Sequence, residues 1–277
     1  MQQLPGTSFP GFAALSSSPK ASLIIVHGLA EYAARYEGVA RTLSERGVSC
    51  FAFDQQGHGD RTGPRTHVAH FDAFVDELSV VIGAVRASQA EAPLFVWGHS
   101  MGAIVATRAA SMSTTALDGV ITSSNSLEVF RRGANPLNPF FRLAARVAPR
   151  VRIPLGLDAA KISTVESVQR AYATDPRIPS SASLRLIVEF AKACERCREA
   201  APRLTTPWLV VHGEADEIAP SHGSQVLFDL LGSADKKLVI YPGLRHEVHN
   251  ERPAARAAFI DLLAHWTLER ARRKNEN

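Results

Sequence analysis

The sequence predicts an α/β fold: a mostly parallel central sheet, helices on both faces, and one helical insertion. Three observations carry that prediction. Short runs rich in β-branched and aromatic residues alternate with longer helical patterns along most of the 277 residues. One stretch, 124–204, breaks the alternation. A composition of 45% hydrophobic and 21% charged residues is that of a globular chain able to bury a sizeable core.

The elements follow in order. Strand-like runs fall at 22–26, 48–53, 94–97 and 119–122, and helical patterns at 36–46, 71–87 and 103–112 lie between or after them. Beyond the break come a strand at 208–211, a helix at 221–231 and a strand at 238–241. Pro253 suits the first position of a last helix, in which Phe259, Ile260, Leu263 and Trp266 recur at helical spacing. Runs that are apolar on both faces, each followed by a helix, imply parallel strands covered on both sides, with ligands bound beyond their carboxyl ends. An insertion at that end becomes a cap over the site. The expected organisation is a core in two parts, 1–123 and 205–277, with a helical cap at 124–204.

Several function classes are excluded. The net charge of +4, with no long basic run interleaved with aromatics, gives no footprint for nucleic acid. Arg270, Arg272, Arg273 and Lys274 read as a solvated helix end favoured by the helix dipole. Cys50, Cys194 and Cys197 are too few for a disulfide framework. Cys194-Glu-Arg-Cys197 has no second cysteine pair and sits in a helix-like stretch at 184–200, so it reads as two helical cysteines rather than a redox or zinc motif. No run approaches the roughly 18 apolar residues of a membrane span, and Met1 to Lys20 lack a secretory pattern, so a cytoplasmic protein is expected. Nothing in the sequence bears on oligomeric state.

Gly98-His99-Ser100-Met101-Gly102 stands directly between a predicted strand and a predicted helix. That context gives G-x-S-x-G its meaning: the turn is so tight that side chains beside the serine would collide with backbone, and the hydroxyl is lifted clear of the sheet. A serine hydroxyl is a poor nucleophile at neutral pH and needs a histidine base oriented by a carboxylate, in the chain order Ser, Asp, His. Asp216 follows the strand at 208–211, and His246 follows the strand at 238–241. Glu214 and Glu217 flank Asp216 and are the rival acids. The oxyanion of an acyl transfer needs two backbone N–H donors. Met101, after the nucleophile, is one; Leu29, in the His27-Gly28-Leu29 turn, is the expected second.

These residues resemble the monoacylglycerol lipases and their lysophospholipase-like relatives, serine aminopeptidase S33-like members of the α/β-hydrolase superfamily. The matching motifs are His27-Gly28-x-x-Glu31 with Arg35-Tyr36, Asp54-x-x-Gly57-His58-Gly59, the serine pentapeptide, His212-Gly213-x-x-Asp216 and His246-Glu247-x-x-Asn250-Glu251. Leu157-Asp158 through Ala171-Tyr172-x-x-Asp175-Pro176 is similar to the family's cap. The resemblance implies the α/β-hydrolase fold and cleavage of monoacylglycerols or similar single-chain esters. It also implies a Ser100, Asp216, His246 triad, substrate contacts from Glu31 and Arg35, and no metal or cofactor. Two departures, Tyr32 where histidine is usual and Arg61 where serine is usual, are expected near the entrance for the alcohol part of the substrate. The short segment before His27 implies a shortened or missing first edge strand.

The remaining alternatives are a short-chain carboxylesterase, a lysophospholipase, a proline-specific aminopeptidase, and a non-catalytic ligand receptor on the same fold. The complete triad argues against the receptor, and a peptidase would need acids in the cap. Between Phe130 and Leu155 there are instead Arg131, Arg132, Arg142, Arg146, Arg150 and Arg152 and no acid, with Phe140, Phe141, Ala144, Val147 and Val151 as an apolar stripe. Such a basic amphipathic helix either lies in an anionic membrane interface or packs on the body and lines an acyl channel. The sequence leaves both open.

Overall fold

A computed structural model describes residues 3–112, 117–131 and 135–276. Nine strands are β1 (Gly11–Ala14), β2 (Ala21–Val26), β3 (Val48–Phe53), β4 (Leu94–His99), β5 (Gly119–Ser123), β6 (Arg152–Pro154), β7 (Ser181–Ser183), β8 (Trp208–Gly213) and β9 (Lys236–Tyr241) among these residues. The α-helices are α1 (Glu37–Ser44), α2 (Asp72–Ser88), α3 (Met101–Ala110), α4 (Pro139–Val147), α5 (Glu166–Thr174), α6 (Leu184–Ala200), α7 (His222–Leu230) and α8 (Pro253–Glu276).

The central sheet runs β1-β3-β2-β4-β5-β8-β9, parallel throughout except for β1 on β3. Every residue of β2, β3, β4, β5 and β8 is buried, as expected where helices cover both faces. Alternation along β2 sends Ile24 and Val26 into one core, with α2, α3 and α6, and Leu23 and Ile25 into the other, with α1 and α8. Trp208 sits in the first core, and Trp97 and Trp266 in the second. Trp97 and Phe259 lie 5.3 Å apart, and burying a side chain such as Phe259 contributes roughly 2 to 3 kcal/mol.

The chain reverses its direction of growth between β2 and β4, and Val26 pairs with Gly98 across them. The loops leaving these two strands are therefore neighbours at the sheet's carboxyl edge, where the residues around Leu29 and Ser100 must meet.

Structure and sequence pattern differ at the element ends. β4, β5 and β8 run to His99, Ser123 and Gly213, past the last apolar residue, because polar side chains do not stop the backbone ladder. The edge strand β1 is present as four residues. The stretch 124–204 holds α4, α5 and α6 as expected, and also the β6–β7 pair, whose three-residue strands are too short to show a period. One face of α6 joins the main core along its length: Phe190 stacks on Phe71 at 5.6 Å, and Cys197 Sγ lies 3.5 Å from the Ile104 carbonyl. Both helical thiols are buried, and burial raises their pKa, as suits packing groups. The basic end of α8 is partly tied to the body, Arg270 lying 4.2 Å over Trp266 and Lys274 pairing with Asp118 at 2.6 Å. No helix among the described residues is long and apolar enough to cross a membrane.

The apolar stripe of α4 divides. Phe141 and Ala144 pack with Ala145, Leu184 and Val188, whereas Phe140, Leu143 and Val147 point outward at 72%, 60% and 77% exposure. The sequence stripe had grouped Phe140 with Phe141 and omitted Leu143. Arg142, Arg146 and Arg150 are exposed beside the outward face; Arg132 lies outside the described residues.

Candidate active site

Ser100 sits between β4 and α3 with φ 54° and ψ −116°, in the left-handed half of backbone space that a non-glycine residue reaches only at a cost. The surroundings over-determine that turn. Its N–H donates to the Ser123 carbonyl at 2.9 Å, while a Cβ on Gly98 would press into the Gly102 carbonyl and one on Gly102 into the Val26 carbonyl. On the neighbouring loop, a Cβ at Gly28 would stand 2.9 Å from Ser100 Cβ. Glycine is thus required on both sides of the serine and opposite it.

His246 lies on the loop after β9, and its Nδ1–H donates to Asp216 Oδ2 at 2.7 Å. That bond leaves Nε2 as the ring's acceptor. Asp216, after β8, is fully satisfied: Oδ1 accepts from the N–H groups of Ile218 and Ala219 at 2.8 and 2.9 Å, and Oδ2 also faces His212 Nε2 at 3.0 Å. The rival acids are engaged elsewhere, Glu217 with Lys161 at 2.9 Å and Glu214 with the Gly243 N–H at 3.2 Å.

Burial alone would depress the His246 imidazole, but the charge and hydrogen bond of Asp216 outweigh it, and Glu247 and Glu31 add to them. The pKa is held above the ordinary histidine value. Burial opposes the Asp216 carboxylate, yet His246 and His212 together hold its pKa well below the usual carboxylate range. A buried pair of this kind keeps the acid ionised and the base able to take a proton.

Ser100 and His246 line one cavity of about 440 Å³. Leu29 lines it too, and among the described residues the backbone N–H groups of Leu29 and Met101 are not taken by another hydrogen bond. Ser100 Oγ is 3.2 Å from Ser126 Oγ, and the two hydroxyls share a hydrogen bond; in this arrangement Ser100 makes none to His246. Apolar walls come from the insertion, including Phe130, Phe141, Ile153, Leu155, Ile187 and Phe190.

Of the two expected substrate-binding residues, Glu31 lines the cavity and Arg35 does not. Glu31 Oε1 accepts from the Gly28 N–H and from Tyr36 Oη, and burial, then repulsion by Glu247, pushes its carboxyl up to about 7. Arg35 donates to Glu247 Oε2 at 2.6 Å and lies 4.9 Å over the Tyr172 ring, which does reach the cavity. Its placement is that of a brace behind the wall.

The departures at Tyr32 and Arg61 do not line the cavity either. Tyr32 Oη bonds Asp175 and carries Arg177 over its ring at 4.0 Å; Arg61 pairs with Glu77 and covers Phe9. Both substitutions are absorbed by local ion-pair and stacking contacts. Sequence reasoning missed Ser126, Ser124, whose hydroxyl bonds the His246 carbonyl, and the second contact on Asp216 from His212. The spacing of four between His212 and Asp216 was a usable signal; nothing marked the two serines.

The serine aminopeptidase S33 family matches residues 17–253. The sequence is 32% identical to a monoglyceride lipase of Rattus norvegicus, over 92% of this chain and 84% of that one. It is 30% identical to a monoacylglycerol lipase of Mycolicibacterium smegmatis, over 85% and 84%. In three dimensions it is similar to the monoacylglycerol lipase of Paleococcus ferrophilus, with a TM-score of 0.83 at 26% identity, covering 94% of this chain and 99% of that one.

Proposed function

This chain belongs to the serine aminopeptidase S33 family of α/β-hydrolases, alongside the monoacylglycerol lipases, and we propose that it cleaves monoacylglycerols or similar single-chain esters to a fatty acid and an alcohol. The observation that carries this reading is His246, paired with Asp216 behind it, lining a largely apolar cavity together with Ser100. Ser100 leaves its bond to Ser126, gives its proton to His246 Nε2 and attacks the ester carbonyl. The oxyanion is taken by the Leu29 and Met101 N–H groups, each such donor contributing about 3 kcal/mol to the barrier reduction. The C–O bond to the alcohol breaks as His246 returns the proton to the leaving oxygen. Water, deprotonated by the same nitrogen, then releases the acid.

Residues 124–204 act as the cap in this reading, and their apolar lining supports an acyl chain as the buried part of the substrate. Among the described residues the insertion contributes no carboxylate to the cavity; Glu31, Glu217 and Glu247 reach it from the core, the last two paired with Lys161 and Arg35. Phe140, Leu143 and Val147, flanked by arginines, rest on an anionic membrane surface from which the substrate enters.

The test is hydrolysis of monoacylglycerols, p-nitrophenyl esters and lysophosphatidylcholine from short to long acyl chains, with Ser100→Ala as the blank. A maximum on medium or long monoacylglycerols is expected. A maximum on short p-nitrophenyl esters with little glyceride cleavage would make the protein a carboxylesterase instead.

A further inference from the structure

His212 is the last polar residue of β8 before the turn to Asp216, and it is completely buried. Its tautomer follows from its neighbours. Nε2 lies 3.0 Å from Asp216 Oδ2 and 2.8 Å from the Ala219 carbonyl, both acceptors, so this nitrogen carries a proton. Nδ1 lies 2.7 Å from Ser224 Oγ on α7, whose hydroxyl must then donate to it. The two contacts agree: Ser224 fixes the ring with its proton on the side of the acid. Asp216 Oδ2 is thus held by two imidazole N–H groups, that of His246 at 2.7 Å and that of His212 at 3.0 Å.

We propose that His212 is a positioning residue for the proton relay, locked by Ser224 in the tautomer whose Nε2–H holds the Asp216 carboxylate toward His246. The proposal rests on the acyl-transfer reading above. Two backbone N–H groups already hold Oδ1, but a carboxylate held by one oxygen can still swing the other. His212 fixes that second oxygen. It also draws electron density from the oxygen that supports the imidazolium, and so weakens the support. The other titratable groups facing His246 are Glu31, Glu247, His99 and His249, and none of them reaches Asp216 Oδ2 by a hydrogen bond among the described residues.

The experiment is the pH profile of kcat and kcat/KM on a soluble p-nitrophenyl ester for wild type, H212A, H212Q, S224A and D216N. H212A is expected to lose on the order of tenfold in kcat with KM little changed, the scale of a misoriented group. Its acid limb moves to higher pH by about half a unit, because the remaining support on Asp216 goes to His246 alone. H212Q, whose amide N–H can reach Oδ2, restores most of both. S224A frees the tautomer and shifts the limb the same way by less, and it serves with H212Q should H212A not fold. A merely structural His212 would lower thermal stability and leave the limb where it is. An unmoved limb in folded H212A or S224A overturns the proposal. If wild type shows no ester turnover above D216N, the acyl-transfer reading fails rather than the role of His212.

Discussion

Two helices of similar length flank the cavity and are built in opposite ways. In α3 all residues from Met101 to Thr107 are buried, and so is Ala109; in α4 only Ala145 is buried. Helix α3 is pinned by approaches that admit no side chain, at Gly98 and Gly102, and by α6 across the Ile104 carbonyl. Helix α4 touches a small satellite cluster by one edge and turns its other apolar side to solvent. The contrast separates two tasks. Ser100 and the loops around it are held by the sheet and its buried helix, whereas the part of the cavity wall that α4 supplies is lightly anchored.

The comparison is broken most severely on its rigid side. Ser100→Ala should lower turnover by about 10⁶, by analogy with other triads, with folding unaffected; retention of more than a few per cent of wild-type turnover would remove Ser100 as nucleophile. Asp216→Asn should cost about 10⁴ and should also shift the pH dependence. In the wild type His246 must be neutral to act as base, so activity rises with pH through a midpoint above the ordinary imidazole value. Without the Asp216 charge, burial dominates and the midpoint of the residual activity falls below that value. A profile of kcat/KM from pH 5 to 9 on both proteins checks the sign.

A smaller break keeps Ser100, Asp216 and His246 and removes the fit beneath the elbow. In Gly102→Ala the new methyl meets the Val26 carbonyl, which belongs to the central strand pair and cannot yield. The expected cost is about 3 kcal/mol of stability, at the upper end of overpacking in a well-filled core. Denaturant unfolding with an unchanged slope measures it, and a loss under 1 kcal/mol would show that the elbow is less constrained than its geometry indicates.

This asymmetry also explains what the sequence could reveal. The sheet was legible because fully buried strands are continuous apolar runs, and Asp216 and His246 stood out as candidate acid and base because each follows such a run. Chemistry fixed by backbone position is written locally. Ser126 and Ser124 belong to contacts made across the sheet, between the end of β5 and loops far away in the chain, and a serine in a loop carries no local sign of its partner. Arg35 shows the converse. Its motif marked it for substrate, whereas in the structure it packs against Glu247 and Tyr172 behind the cavity wall. The face of α4 could not be divided from its stripe alone, since Phe140 and Phe141 are adjacent in sequence and the packing of Leu184 and Val188 decides which one is inward.

The mildest substitution bears most directly on the contrast. Leu143 is 60% exposed, so Leu143→Ser removes little native packing and should change stability by no more than about 0.5 kcal/mol. Turnover of a soluble ester should also be unchanged, because Leu143 does not line the cavity. If the outward face of α4 meets a membrane, the same change loses about 1.5 kcal/mol of apolar transfer, roughly tenfold in partition to anionic vesicles. Hydrolysis of vesicle-borne monoacylglycerol should fall in step. Sedimentation with phosphatidylserine-containing vesicles, set beside the soluble-ester rate, distinguishes the cases. Unchanged partition would leave α4 as a wall of the cavity and nothing more. A drop in vesicle binding alone would give the lightly held helix a task that the buried one cannot perform.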